Sequence, residues 1–239
     1  MTFIWRGFRQ AWHLIVSGDP NLRHVTWVTL EVAIVATVVA VVLGLPCGLV
    51  LGLGRFRGRR LGIVLANAGL GLPPVMVGLV LALLMFPEAP LGRFHLLFTL
   101  HGVYIAQSVL SFPVVVALSC SALRAVPEGL LDQARAFDAS RRQLWVLALR
   151  EARVGVLTAV IAAVGSALSE VGAVVLVGGN IYGNDQTLAS ATIFAVDQAQ
   201  FAYAMALGII LLGLILVVAA ALTFVQQGSA ARVRIRPPS

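Results

Sequence analysis

Five stretches of this chain, residues 26–53, 61–86, 96–123, 154–177 and 201–225, are apolar almost throughout. Glu31 and Glu170 are the only Asp, Glu or Arg side chains among them. A helix of about 20 apolar residues crosses a bilayer core of about 30 Å, and each stretch is long enough to do so. The surface that must cover five such runs is poor in charge. Only 11% of the 239 residues are charged and 59% are hydrophobic, against about 25% charged in an ordinary soluble domain. Lipid is therefore the expected solvent for most of the outer surface. In lipid, backbone N–H and C=O groups must be satisfied internally, which leaves helices. The expected fold class is all-α, a polytopic membrane helix bundle with about five transmembrane helices.

The first twenty residues are read differently. Residues 1–16 are too short and too charged to span. Phe3, Ile4, Phe8, Trp12 and Ile15 fall near one helical face, with Trp5, Arg6, Arg9 and His13 around the rest. This predicts an amphipathic helix lying in the membrane interface, closed by the breaker Ser17-Gly18-Asp19-Pro20. The arginines also rule out a continuous apolar signal-peptide core. The domain reading is an interfacial helix over 1–20, a membrane domain over 21–228 and a tail over 229–239.

All 17 basic residues are arginines and the net charge is +7. They cluster at the ends of the apolar stretches, which argues for membrane topology and against a nucleic-acid partner. Thirteen lie after the first, third and fifth stretches: Arg55, Arg57, Arg59 and Arg60, then Arg124, Arg135, Arg141, Arg142, Arg150 and Arg153, then Arg232, Arg234 and Arg236. Four lie on the other side, Arg6, Arg9, Arg23 and Arg93. The positive-inside rule puts the thirteen in the cytoplasm, so the N-terminus is expected outside and the C-terminus inside. The expected location is a multi-pass protein of the inner cell membrane.

Prolines interrupt several stretches: Pro46 in the first, Gly71-Leu72-Pro73-Pro74 in the second and Pro113 in the third. Each removes a donor and crowds the preceding turn, so these positions either serve packing or shape a pathway. Gly44, Gly48 and Gly52 form a smooth stripe for close helix contact. Cys47 and Cys120 read as small core residues with no metal or disulfide spacing.

The longest polar segment, residues 125–153, is too helical for a mere connector. Pro127 and Glu128 open a helix. Leu130, Leu131, Ala134, Phe137 and Ala139 give it an apolar side, and Asp132, Arg135, Asp138, Arg141 and Arg142 a charged one. Ser140 breaks the pattern, and Leu144, Trp145, Leu147 and Leu149 begin a second short helix. Such a knob fits a groove on a partner or rests on lipid headgroups.

These residues carry a family resemblance. The run Asp132-Gln133-Ala134-Arg135-Ala136-Phe137-Asp138-Ala139-Ser140-Arg141 resembles the coupling loop of ABC importer permeases, whose pattern reads Glu-Ala-Ala, three residues, Gly. Asp132 stands at the Glu position and Gln133 at the first Ala, while Ala134 keeps the second. Asp138 replaces the usual Gly; aspartate tolerates the left-handed backbone better than most residues. Leu147 and Leu149 match the later hydrophobic pattern, with Arg150 in place of Pro. A second segment, Ser169-Glu170-Val171-Gly172-Ala173-Val174 followed by Val177-Gly178-Gly179-Asn180-Ile181-Tyr182-Gly183, is similar to molybdate, tungstate and sulfate permeases. Its Gly-Gly-Asn-Ile form resembles the tungstate branch most.

The resemblance implies a type I importer permease that homodimerises. ATPase subunits would dock at Asp132, Gln133, Ala134, Phe137, Asp138, Ala139, Ser140, Leu147 and Leu149, and an extracytoplasmic oxyanion-binding protein would deliver substrate. The kinks, the small glycines and the neutral polar donors place a pathway or gate at Pro73, Pro74, Pro113, Ser166, Ser169, Glu170, Gly172, Gly179 and Asn180. Glu170 is expected deep in a helix, bonded to a neighbour rather than to an anion. Glu31 and His101 are expected as helix-end or interhelical polar groups rather than ligands. No catalytic residue or metal ligand is expected. Nor is any cofactor bound by this chain, ATP and Mg belonging to the ATPase partner.

Electrostatics sets the need for a partner. Moving a dianion inward costs roughly 4.6 kcal/mol at 100 mV, from about 2.3 kcal/mol per charge. No G-x-x-x-x-G-K-[ST] phosphate loop is present in the chain to supply it. Tungstate is the first expectation, with molybdate or sulfate as alternatives within the class. An ion-coupled secondary carrier is the alternative from another class, and would need coupling groups within the membrane.

Overall fold

The computed structural model describes residues 2–234, and side-chain surroundings for 4–227. Eleven α-helices occupy the described residues: α1 (Thr2–Ser17), α2 (Pro20–Leu53), α3 (Arg59–Gly69), α4 (Pro74–Met85), α5 (Leu100–Arg124), α6 (Glu128–Ala136), α7 (Arg141–Glu151), α8 (Arg153–Ser169), α9 (Gly172–Gly178), α10 (Leu188–Asp197) and α11 (Phe201–Arg234). A short 3₁₀ turn, Gly92–Phe94, precedes α5. Among the described residues, α2, α5 and α11 are each long and apolar enough to cross a membrane alone. The broken pairs α3–α4 and α7–α8 bring the number to as many as five.

The breaker at residues 17–20 works as its chemistry dictates. Gly18 is left-handed, with φ 63°. Asp19 Oδ1 accepts from Leu22 N at 2.8 Å, an N-cap for α2 with Pro20 at the first helical position. From there α2 runs unbroken through Pro46, as α5 does through Pro113.

Two expected spans are not continuous. The second leaves helix over residues 70–73, because two successive prolines remove the donors that a helix would need there. The fourth stops at Ser169 and restarts at Gly172. Glu170 is therefore not inside a helix, as the sequence alone suggests, but in the gap between two. The apolar pattern runs through the gap because Val171 keeps it greasy, so hydropathy is blind to the break.

The chain divides into two units. The first contains Met1–Ala36, Leu72–Leu110 and Gly165–Val218. In it Leu22, Val25, Leu188, Ala191 and Leu207 form one core, and Val28, Val32, Val103 and Val174 another. A third joins α4, α5 and α9 through Ala82, Met85, Ala106, Ala173 and Val177. α1 packs through its small residues: Ala11 is buried, and a Cβ on Gly7 would lie 2.5 Å from Met205 Cγ. Ile4, Trp5, Phe8, Trp12 and Ile15 stay exposed. The expected apolar face thus points outward, with Trp5 joining it. The Phe3 side chain lies outside the described residues.

The second unit contains Thr37–Gly71, Ser111–Val164 and Ala219–Ser239. The glycine stripe packs α2 on α5, as its spacing predicts. A Cβ on Gly44 would lie 3.1 Å from Val115 Cγ1, one on Gly52 2.9 Å from Leu123 Cβ, and one on Gly48 would overlap the Ser119 hydroxyl. Arg59 donates to the Leu51 and Gly52 carbonyls at 2.7 and 2.9 Å, closing the C-terminal end of α2 where cations are favoured. Cys120 is buried as expected, but Cys47 is exposed; a lipid-facing helix is apolar on its outside too, so an apolar run does not locate a core. α11 continues as helix to Arg234 across the expected tail boundary at 229, and residues 235–239, Arg236 among them, lie outside the described residues.

Candidate coupling elbow and interrupted helices

The segment after α5 is built as a rigid elbow. Pro127 caps α6 with extended backbone and Glu128 occupies its first turn. On α6 the Asp132 carboxylate pairs with the Arg135 guanidinium. The far end closes as a Schellman turn: Ala139 N donates to Ala134 O at 3.0 Å and Asp138 N to Arg135 O at 3.0 Å. Its left-handed residue is Asp138, with φ 56°. Aspartate therefore takes the backbone that glycine usually supplies. Ser140 then starts α7 with a capping box, its N–H donating to Gln143 Oε1 at 2.7 Å while its Oγ accepts from Gln143 N at 3.4 Å.

The inward side of this elbow is core. Leu123, Val126, Leu131, Ala148 and Ala152 pack together, with Leu130 and Leu147 against them. Leu147, expected on the partner-facing surface, belongs to this support. Leu149 is half-buried on an apolar groove. The outward side is different: Gln133, Asp138 and Ser140 are exposed, Ala134 and Ala139 half-exposed, and Phe137 is 87% exposed. An aromatic ring held out on a doubly capped turn is anchored at its backbone and unsatisfied at its side chain.

The expected pathway residues fall into three places. Pro73 and Pro74 begin α4, which lies alongside α9. A Cβ on Gly172 would sit 2.5 Å from Val75 Cγ2, and one on Gly78 2.6 Å from Ala173 Cα. The gap before α9 thus meets the proline start of α4. In that gap Glu170 Oε1 accepts from Ala173 N at 3.2 Å, placing a carboxylate on the positive end of α9. The expected role of bonding a neighbouring helix or a free carbonyl is replaced by capping, since a carboxylate needs a donor and the first turn of a helix supplies one. Glu170→Ala is expected to cost about 1 kcal/mol of stability, and Glu170→Gln, which keeps an acceptor, clearly less; thermal melting in detergent measures both. Ser169 Oγ is tied back to the Gly165 carbonyl at 3.0 Å, and both Ser166 and Ser169 are exposed.

Gly179 and Asn180 lie at the far end of α9, about 10 Å along the helix from Gly172 at 1.5 Å per residue. Both are left-handed, with φ 89° and 55°. The Asn180 amide donates to Ser190 O at 3.4 Å. Pro113 is apart from these, packed where a Cβ on Gly69 would strike its ring. Glu31 takes an interhelical role, Tyr104 OH donating to its Oε1 at 2.6 Å, whereas His101 sits at the start of α5 and its ring meets Tyr104 of the same helix edge-on at 5.8 Å.

A buried polar loop beyond Asn180 has no counterpart in the sequence-based expectations. Residues 185–190 are wholly buried. Asp185 Oδ1 accepts from Ile181 N at 2.7 Å, while Oδ2 is buried with no hydrogen-bond partner. Burial pushes the Asp185 carboxyl up, against the pull of the Ile181 N–H. Thr187 and Ser190 cap α10 reciprocally, and Leu188 N donates to Thr29 Oγ1 at 2.8 Å. The one signal in the sequence is a Thr at the start of an apolar decapeptide, which is too short to stand out as a membrane span. Among the described residues no three His, Cys, Asp or Glu side chains gather as a metal site.

The family described as binding-protein-dependent transport system inner membrane component matches residues 44–230. The chain is 39% identical to the "Probable anion ABC transporter permease protein" of Haloferax volcanii, over 83% of this chain and 89% of that one. It is 31% identical to the tungstate uptake system permease protein TupB of Peptoclostridium acidaminophilum, over 89% and 93%. It is 32% identical to TupB of Campylobacter jejuni, over 89% of each. A chain of the inward-facing MetNI methionine ABC transporter superposes with a TM-score of 0.69 at 20% identity, over 87% of this chain and 95% of that one. With helices α3 to α10, the capped elbow among them, inside the matched span, this chain belongs to the inner membrane component family of binding-protein-dependent transport systems.

Proposed function

We propose that this chain is the permease subunit of an ABC importer for a tetrahedral oxyanion, tungstate first, with molybdate or sulfate as the alternatives. The observation that carries the coupling part is Phe137, held 87% exposed on a turn capped from both sides. An anchor of this kind suits a cleft on a separate ATPase, which holds ATP and Mg and supplies the energy. Two copies of the chain enclose the pathway, and an extracytoplasmic protein delivers the ion. The elbow and the C-terminus face the cytoplasm, and the exposed tryptophans of α1 lie in the opposite interface. Tungstate ranks first because permeases named for tungstate uptake align over 89% of this chain. The broken starts of α4 and α9, with Pro73, Pro74, Glu170 and Gly172, border the pathway, since irregular backbone in a membrane is tolerated where it lines a cavity.

The test is uptake into proteoliposomes holding this chain, its ATPase and its binding protein. Labelled tungstate should accumulate only with ATP, and excess molybdate should compete better than sulfate. Uptake by this chain without an ATPase would instead establish an ion-coupled carrier, and competition by sulfate alone would reassign the substrate.

A further inference from the structure

Beneath the elbow is a cavity of about 670 Å³ between the end of α2 and helices α6 and α7. Arg55, Arg135 and Arg141 line it, together with Asp132, Phe56 and Trp145. Asp132 neutralises Arg135; Arg55 and Arg141 have no acidic partner among the described residues. The cavity therefore carries an excess of two positive charges. On the other side of Arg141 and Trp145 runs a largely apolar groove completed by Leu49, Val146 and Leu149, with Arg142 at its edge. The two spaces share Arg141 and Trp145 as a common wall. Phe137 lines neither, so the aromatic tip is separate from both.

We propose that this composite site holds one anionic phospholipid, its phosphate among Arg55, Arg135 and Arg141 and an acyl chain along Leu49, Val146 and Leu149. Charge complementarity selects an oxyanion for the cavity. The groove selects a lipid over a free phosphate or tungstate, because a free ion leaves the groove uncovered. The placement agrees: the groove begins at Leu49, within the last turns of a candidate membrane span, and tryptophan favours the headgroup level. Basic pockets beside membrane helices take anionic headgroups. A lipid seated here would brace α6 and α7 against α2 from below, so bilayer charge would tune the elbow.

The test uses the full chain with Trp5, Trp12 and Trp27 replaced by phenylalanine, leaving Trp145 as the only tryptophan, in phosphatidylcholine nanodiscs. Phosphatidylglycerol with brominated acyl chains should quench Trp145 with an apparent affinity about tenfold or more above that of brominated phosphatidylcholine, the effect of two arginines near a lipid phosphate. Arg55→Gln with Arg141→Gln should abolish the preference while melting is unchanged, both side chains being exposed. Leu149→Asn should weaken the quenching by both lipids alike. Equal quenching by both lipids in the parent chain overturns the proposal. So does full displacement of phosphatidylglycerol by free phosphate or tungstate, which would make the cavity an ion site.

Discussion

Replacing Phe137 with alanine is expected to reduce ATPase binding, measured by co-purification and titration, at least about 30-fold, the result of losing a buried aromatic anchor worth about 2 kcal/mol or more. ATP-driven uptake should fall with it. The isolated chain should melt unchanged to within about 0.5 kcal/mol, because an exposed side chain contributes little to its own fold. Leu131 provides the contrast: it lies in the core beneath the elbow, so its truncation would lower binding and stability together. Phe137→Trp, which keeps a large ring, should restore much of the affinity. Normal association by the alanine variant would remove Phe137 from the docking surface and with it the case for the elbow as the coupling element.

The second large effect is expected at Gly178. A Cβ there would overlap Asp185 Oδ2 and stand 2.6 Å from Val103 Cγ2. Both neighbours are wholly buried. Asp185 is held by the Ile181 N–H and Val103 by its core with Val28, Val32 and Val174, so neither can step aside freely. Overpacking of this kind costs roughly 1–3 kcal/mol, or a melting point lower by about 5 °C. Asp185→Ala makes room on one side. In that background Gly178→Ala should cost less, with a coupling of about 0.5–3 kcal/mol between the two sites. Strict additivity would show that the carboxylate is not what the glycine makes room for.

How much of the fold and the site is legible in the sequence depends on which physical signal each element carries. The long spans α2, α5 and α11 follow from apolar length alone. The elbow is legible because its punctuation is local: Pro127 and Glu128 open α6, Ser140 opens α7, and Asp138 occupies the left-handed position that its short polar side chain tolerates. The gap at Glu170 is not legible. It depends on a carboxylate capping a seven-residue helix inside a run that hydropathy reads as unbroken. The outward face of α1 is half legible: periodicity marks the stripe, but only packing of Gly7 and Ala11 decides which side is covered. The buried loop before α10 is least legible, since polar residues such as Asp185, Gln186 and Thr187 read as solvent-facing until partners such as Ile181 N and Ser190 are brought to them by the fold.

That loop has a consequence for any protein that approaches it. Tyr182 is 68% exposed at its tip, yet everything from Asp185 to Ser190 beneath is desolvated and fixed. A docking partner meets a preformed platform and surrenders no affinity to ordering a floppy segment. Changes to the platform's foundations should therefore register as faster departure of the partner, with its rate of arrival left alone.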